Sequence, residues 1–408
     1  MAATFTEEYD GLFAQRGVAV THDLYRRARH DAPIFWSESA SAWVLTRHGD
    51  VRRLLEDEET FAVLSGGAGA SIHGRTVLQM RGDEHRRKNA IIARGIRNTR
   101  RLAGPVAEHL DAISAELIAG LSTDNTVDLK AEYTTPLPLQ LIAWMLDVEA
   151  AAEVRSWYDA LAAAGVENVV ADPSLREAGL AARDELRALV GPLIAARRIE
   201  PGDDLISTLC TAEYEGERLS DEEIKTLVGF LLTAGVETTD RALASLFRQL
   251  MMEPADYDRL SGADESTMVG ACVEILRVEP PVQALPRITL VDTELHGQSL
   301  PEGTRLIGVI ASANRDEDVF ADGDAFVMDR FDNPDREFTP AGDTLPFGAG
   351  SHHCTGSLLA KLEMVTAIRD ITNSFSAITA ATDLPRPVGV MLRSPPALPV
   401  RLTPKEPI

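Results

Sequence analysis

Apolar positions along the chain recur mostly every three or four residues, the spacing of helices. Between residues 101 and 198 Leu, Ile and Val keep that spacing, with a break at Ala171-Asp172-Pro173. Residues 33–46 alternate like a short hairpin, and a helix is predicted from near Asp50. Residues 61–77 are rich in Gly, Ala and Ser and read as one long loop. Loops of that length inside a compact domain usually carry function. Residues 288–310 read as strands with a turn at Pro301-Glu302-Gly303. The pattern predicts a mainly α chain with a small β portion. No period of 20–50 residues and no low-complexity linker divides it, so residues 1–408 read as a single domain.

The clearest element is a helix over 220–253. Ser220 and Glu223 have the spacing of a capping box, and no proline follows until Pro254. Its middle is apolar on every side, with Leu227, Val228, Phe230, Leu231, Leu232 and Val236. A helix of that kind runs through a core rather than along a surface.

Charge and composition narrow the function. The chain has 63 acidic against 40 basic residues, a net charge of −23. Such an excess repels nucleic acid and anionic membranes, so neither is expected as a partner. The first ten residues carry Glu7, Glu8 and Asp10 and do not read as a signal peptide. The most apolar stretch is about half of a membrane span. The expectation is a soluble, cytoplasmic, monomeric protein. There are only three cysteines, Cys210, Cys272 and Cys354, too few for a disulfide framework. Cys210 and Cys272 have apolar neighbours and read as buried bystanders.

Cys354 lies in Phe347-Gly348-Ala349-Gly350-Ser351-His352-His353-Cys354-Thr355-Gly356. Three glycines around one cysteine let the backbone turn tightly and approach a large flat group. Helical spacing begins after Gly356, which puts Cys354 at or just before a helix N-terminus. Backbone N–H groups and the helix dipole there stabilise a thiolate. An anionic sulfur backed by such donors suits a haem iron, and thiolate ligation favours O–O cleavage. Two other readings stand beside it: an inert buried cysteine, and zinc held by His352, His353 and Cys354. Zinc needs four donors at recognised spacings, and no CxxC or HxxxH completes the set.

This loop resembles the haem-binding signature of the cytochrome P-450 family, FGxGxHxCxG. Phe347, Gly348, Gly350, His352, Cys354 and Gly356 match all of its fixed positions. The resemblance extends over nearly the whole chain and is nearest to the soluble bacterial type. It implies the cytochrome P-450 fold, with haem b between the long central helix and the helix after the cysteine loop. Cys354 is then the axial iron ligand. Phe347, Gly348, Gly356 and Ala234 are implied as cofactor contacts.

Ala234-Gly235-Val236-Glu237-Thr238-Thr239 falls in the middle of the long helix and looks like the family's oxygen-binding motif. Ala234 and Gly235 remove bulk where a planar cofactor and a small ligand come close. The Thr238 hydroxyl can reach the Ala234 carbonyl and locally open the helix. Thr238 beside Glu237 forms a plausible proton relay for O–O cleavage, so these two are the expected catalytic residues. The pair favours reductive O2 activation over peroxide-driven variants of the fold. The bland reading is an ordinary helix with a surface glutamate.

Glu274-Ile275-Leu276-Arg277 matches the family's ExxR, whose two side chains face each other at helical spacing. By resemblance the pair is structural, with Arg330 as third partner. His85, Arg287 and His352 match positions that hold the haem propionates. The family usually has arginine where this chain has Asn89, and Arg87 or Lys88 is the expected substitute. The substrate pocket is expected to include Phe230, Ala234, Gln283, Ala284, Met391 and Leu392, under a lid from residues 61–80 and 166–174. Gln283 is its one obvious polar handle, or equally a satisfied turn glutamine.

These readings converge on a haem-thiolate monooxygenase of secondary metabolism. It inserts one atom of O2 into a small or medium apolar molecule. Electrons come from a separate ferredoxin and ferredoxin reductase. The alternatives are a haem-thiolate catalyst of coupling, dehydration or rearrangement, and a haem-based ligand-binding or sensor protein. A sensor has no need of the Glu237–Thr238 relay. Residues 81–101 hold eight cationic side chains against Asp83 and Glu84, and read as the docking site for an acidic redox partner.

Overall fold

The computed structural model describes residues 2–14, 22–64, 70–148, 153–165 and 172–405. Helices dominate, with small sheets beside them. The chain divides into two compact units, each built from separated stretches. One comprises Met1–Leu64, Arg241–Cys354 and Phe375–Ile408; the other comprises Ser65–Asp240 and Thr355–Ser374.

The first unit is organised by a five-stranded sheet. Its spatial order is Ile34–Ser37, Ala42–Leu45, Arg305–Gly308, Leu285–Thr289 and Phe61–Val63. Alternation along the strands sorts side chains to two faces. Phe35, Val44 and Ile307 join a core with Leu24, Tyr25 and Ala28 on one side. Leu45 and Leu306 join Val51, Leu54 and Leu55 on the other. The hairpin expected at 33–46 is the antiparallel pair Ile34–Ser37 and Ala42–Leu45. The following helix is His48–Glu56. The turn at Pro301 is closed by the Thr304 amide donating to the Pro301 carbonyl at 3.1 Å.

Residues 61–77 are not one long loop. Phe61–Val63 pairs with Leu285–Thr289, Ala70–His73 is a helical turn, and Val77–Gln79 is a 3-10 turn with a Thr76/Gln79 capping box. The Thr-x-x-Gln spacing carries that last signal, and the small residues around it obscure it. Residues 65–69 and 166–171, both parts of the expected lid, lie outside the described residues. After the second gap the Asp172 carboxylate accepts from the Ser174 amide at 2.9 Å and caps the helix Pro173–Ile199.

The second unit is helical. The helix Asp221–Met252 begins in it and continues into the first, a length of about 48 Å. The Ser220 amide and hydroxyl donate to the Glu223 carboxylate, both at 2.8 Å, and the Glu223 amide donates back at 3.3 Å. The box satisfies amides that a helix start leaves without partners. Among the described residues no helix is long and apolar enough to cross a membrane.

Candidate active site

In the first unit the cysteine loop is drawn closed by the Cys354 amide, which donates to the Phe347 carbonyl at 2.8 Å. Gly348 and Gly350 sit at φ +72° and +68°, backbone that side chains rarely adopt. A Cβ on Gly350 would stand 2.9 Å from the Leu55 carbonyl oxygen and 3.0 Å from the Glu56 Cα. Glycine there is needed for conformation and for close approach. Gly356 accepts from the Ala360 amide at 2.9 Å, the first bond of the helix Ser357–Ser374, so Cys354 lies three residues before its start. Cys354 is part-exposed, whereas Cys210 and Cys272 are buried. Burial pushes the Cys210 thiol up, which keeps it protonated. Among the described residues no group of three or more His, Cys, Asp or Glu side chains could hold a metal ion.

The Glu274–Arg277 pair lies in the same unit, fully buried. The guanidinium donates through Nε to Oε1 at 2.6 Å and through Nη2 to Oε2 at 2.9 Å. Arg330 donates to the same Oε1 at 3.0 Å, and the Val327 amide donates to Oε2 at 2.8 Å. Arg277 also donates to the carbonyls of Asn314, Gly323 and Ala325. A glutamate and two arginines thereby tie one helix to the irregular segment after Asn314 through satisfied, charge-assisted bonds.

Arg287, on the strand Leu285–Thr289, is only 6% exposed. Its guanidinium donates to the Pro286 carbonyl at 2.9 Å; among the described residues no carboxylate pairs with it, and Glu58 acts on it only at longer range. Burial lowers its pKa to about 10. A buried cation with only a distant counter-charge is costly, and a carboxylate group such as a haem propionate would offset that cost. The chemistry of this position therefore fits haem.

Four of the expected pocket residues, Gln283, Ala284, Met391 and Leu392, come together in the first unit. The Gln283 amide donates to the Met391 carbonyl at 2.9 Å, and Val282 bridges Leu392. Ala284 is buried in a cluster with Met391 packed against it. The Gln283 side chain donates to the Pro280 carbonyl at 2.5 Å, as a turn glutamine does, while its buried Oε1 has no partner.

In the second unit the Thr238 hydroxyl donates to the Ala234 carbonyl at 3.0 Å. The helix nevertheless stays α-helical through 234–239 and does not open. A carbonyl oxygen has two lone pairs and accepts the hydroxyl beside its helical bond. Glu237 is buried at 8% exposure. Part-exposed positions recur at Phe230, Leu231, Ala234, Gly235, Thr238 and Arg241, one face of the helix. Their neighbours Leu232, Val236 and Thr239 are buried.

Two residues that the sequence reading missed stand beside this helix. Glu363, on the helix Ser357–Ser374, is buried and accepts from the Thr239 hydroxyl at 3.0 Å. Burial raises its pKa to about 8. The available signal was a lone glutamate among Leu358, Leu359, Leu362 and Met364. His73 places Nε2 3.0 Å from the Thr233 hydroxyl and its ring edge-on to Phe230, with centroids 6.1 Å apart. Burial lowers the His73 pKa to about 4, so it is neutral.

His85 is buried on the helix Gly82–Ile96, and His352 ends a 3-10 turn in the first unit. The substitutes expected for Asn89 are occupied elsewhere. Lys88 pairs with Glu217 at 2.8 Å and Glu223 at 3.1 Å, and Arg87 lies 3.6 Å from Glu217. Both face Glu217 of the segment before the long helix, and Lys88 also meets Glu223 in that helix's first turn, which charge counting along one helix does not reveal. Asn89 itself accepts from the Thr355 hydroxyl at 3.0 Å.

Comparison with known proteins agrees with this geometry. The Cytochrome P450 family model matches residues 182–263 and 267–398. Pulcherriminic acid synthase of Bacillus subtilis is 30% identical over 349 residues, 83% of this chain and 84% of that protein. Erythromycin C-12 hydroxylase of Saccharopolyspora erythraea is 31% identical over 363 residues, 87% of each. Among solved structures, CYP109E1 of Bacillus megaterium in complex with testosterone superposes with TM-score 0.82 at 26% identity. That match covers 94% of this chain and 99% of the other. The mainly helical fold, the cysteine loop and relatives aligned over more than four-fifths of the sequence lead to one conclusion: the chain belongs to the cytochrome P450 family.

Proposed function

We propose that this P450 is a haem-thiolate monooxygenase that inserts one atom of O2 into a small or medium apolar molecule, with electrons from a separate ferredoxin and its reductase. The observation that carries this reading is the acid–alcohol pair Glu237–Thr238 in the middle of the long helix, with the Thr238 hydroxyl held on the Ala234 carbonyl. A protein that only binds or senses a ligand needs no such pair.

Haem, when bound, supplies the iron at which O2 is activated. Cys354 holds the iron through its sulfur, and the N-terminus of Ser357–Ser374 favours the anionic form. Arg287, His85 and His352 bind the propionates. Phe347, Gly348, Gly356 and Ala234 line the macrocycle. Thr238 holds a proton at its hydroxyl, and Glu237 replenishes it from solvent. Phe230, Gln283, Ala284, Met391 and Leu392 orient the substrate and exclude water. Glu274, Arg277 and Arg330 hold the scaffold. The reading treats residues 1–408 as one catalytic domain.

The test is the ferrous–CO spectrum. The parent protein should show the strongly red-shifted Soret band of thiolate ligation, and Cys354→Ala should lose it. A Cys354→Ala protein that keeps the band overturns the assignment. Titrating a compound library against the ferric Soret band then identifies the substrate class.

A further inference from the structure

The basic helix Gly82–Ile96 is covered along much of its length by an acidic hairpin of the same unit. The Tyr214 and Glu217 amides each donate to the other's carbonyl at 3.0 Å, which makes a two-residue turn. Its central residues, Glu215 and Gly216, have φ +51° and +78°. That geometry favours Asn or Gly, so a glutamate at the first position is unexpected. Glu215 earns its place by charge: Arg86 donates to its two carboxylate oxygens at 2.7 and 2.8 Å.

The rest of the hairpin repeats the theme. Glu217 pairs with Lys88 and Arg87, while Glu213 offers Arg94 only its backbone carbonyl, at 2.7 Å, and keeps its carboxylate on Arg218. The guanidiniums of Arg86 and Arg94 both lie over the Tyr214 ring, 5.8 Å from its centroid. Single surface ion pairs contribute little, but a bidentate, interlocked set is the exception. The end of the basic segment is different. Among the described residues no carboxylate pairs with Arg100 or Arg101, and Arg97 donates to the carbonyl of Thr355, the residue after Cys354, at 3.1 Å.

We propose that the hairpin carboxylates Glu215 and Glu217 are a built-in acidic competitor on the electron-entry surface, so that an acidic redox protein docks on Arg97, Arg100 and Arg101 and must displace the hairpin to reach Arg86, Arg87 and Lys88. The proposal rests on the reading that an acidic ferredoxin supplies the electrons. An acidic partner fits because it presents the same carboxylates that the hairpin already uses. The hairpin then limits affinity, which suits a carrier that must leave after each electron.

The experiment uses the haem-loaded protein and an oxidised plant-type [2Fe–2S] ferredoxin as the acidic probe. Docking affinity is measured across an ionic-strength series, so no turnover is needed. Glu215→Gln/Glu217→Gln keeps the hairpin's size and removes the two carboxylates that pair with the basic helix. It should bind roughly threefold or more tightly at low salt, with a steeper salt dependence. Glu215→Gln alone should move the same way by less, and serves if the double variant folds poorly. Arg97→Glu/Arg100→Glu/Arg101→Glu should weaken binding. If the reversal weakens binding while neither hairpin variant strengthens it, the competitor is refuted and the docking reading stands. If the reversal leaves binding unchanged, the docking reading fails, and the proposal with it.

Discussion

The Thr239 hydroxyl donates to a carboxylate oxygen of Glu363 at 3.0 Å, and both side chains are buried. Thr239 follows Thr238 on the long helix, while Glu363 lies nine residues beyond Cys354 in the sequence. Among the described residues the other carboxylate oxygen of Glu363 has no hydrogen-bond partner. This bond joins the helix of the acid–alcohol pair to the helix that follows the cysteine loop, inside one unit.

Glu363 gives the fold a definite pH dependence. Burial raises its pKa to about 8 from an ordinary 4.5. Between those values the folded protein keeps a proton that the unfolded chain has released. The stabilising effect is complete below about pH 4.5 and declines as pH rises to about 8, by ~1.4 kcal/mol per pH unit at most. Glu363→Gln should remove this slope. Thermal unfolding of both proteins from pH 5 to 8.5 checks it: the variant should gain on the parent steadily up to about pH 8. Parallel profiles would show that Glu363 is ionised in the fold.

Thr238→Ala should bind substrate and accept electrons normally but release more peroxide per product. Glu237→Gln should slow turnover by about 10²–10⁴-fold where proton delivery limits the rate. The measurement is product formed per electron consumed. An unchanged ratio in both variants removes the pair from proton delivery.

Gly270 lies on the helix that carries Glu274 and Arg277, and its missing side chain admits the neighbouring backbone. A Cβ there would stand 2.2 Å from the Met328 carbonyl oxygen. Gly→Ala in a free helix stabilises by roughly 1 kcal/mol. Here Gly270→Ala should instead destabilise by about 1–3 kcal/mol, because backbone must move. Denaturant unfolding gives the sign directly.

Arg277→Lys should be far from conservative. Lysine cannot make the bidentate contact with Glu274 while also reaching three carbonyls. The buried carboxylate would keep only part of its compensation, at a cost of about 3–5 kcal/mol. The expected outcome is a large loss of folded, haem-loaded protein, read from the yield of the ferrous–CO band. Near-normal yield would mean that Arg330 and the Val327 amide are enough to satisfy Glu274.

Local chemistry made a good part of this protein legible in its sequence. The long helix was readable because Ser220, Glu223 and Pro254 mark its ends and apolar residues fill its middle. The cysteine loop was readable because left-handed glycines, a thiol and a helix start are adjacent in the chain. Glu274 and Arg277 face each other because helical spacing alone puts them there. The three-dimensional fold decided what depends on groups far apart in sequence. Thr239 and Glu363 meet across 124 residues. Lys88, expected as a substitute for the arginine missing at Asn89, is held by Glu217 and Glu223, the latter 135 residues away. Periodicity and capping act within one or two turns of chain, so they report an element and its ends. Burial, pKa and charge pairing are set by whichever elements pack together, and no local pattern encodes that choice.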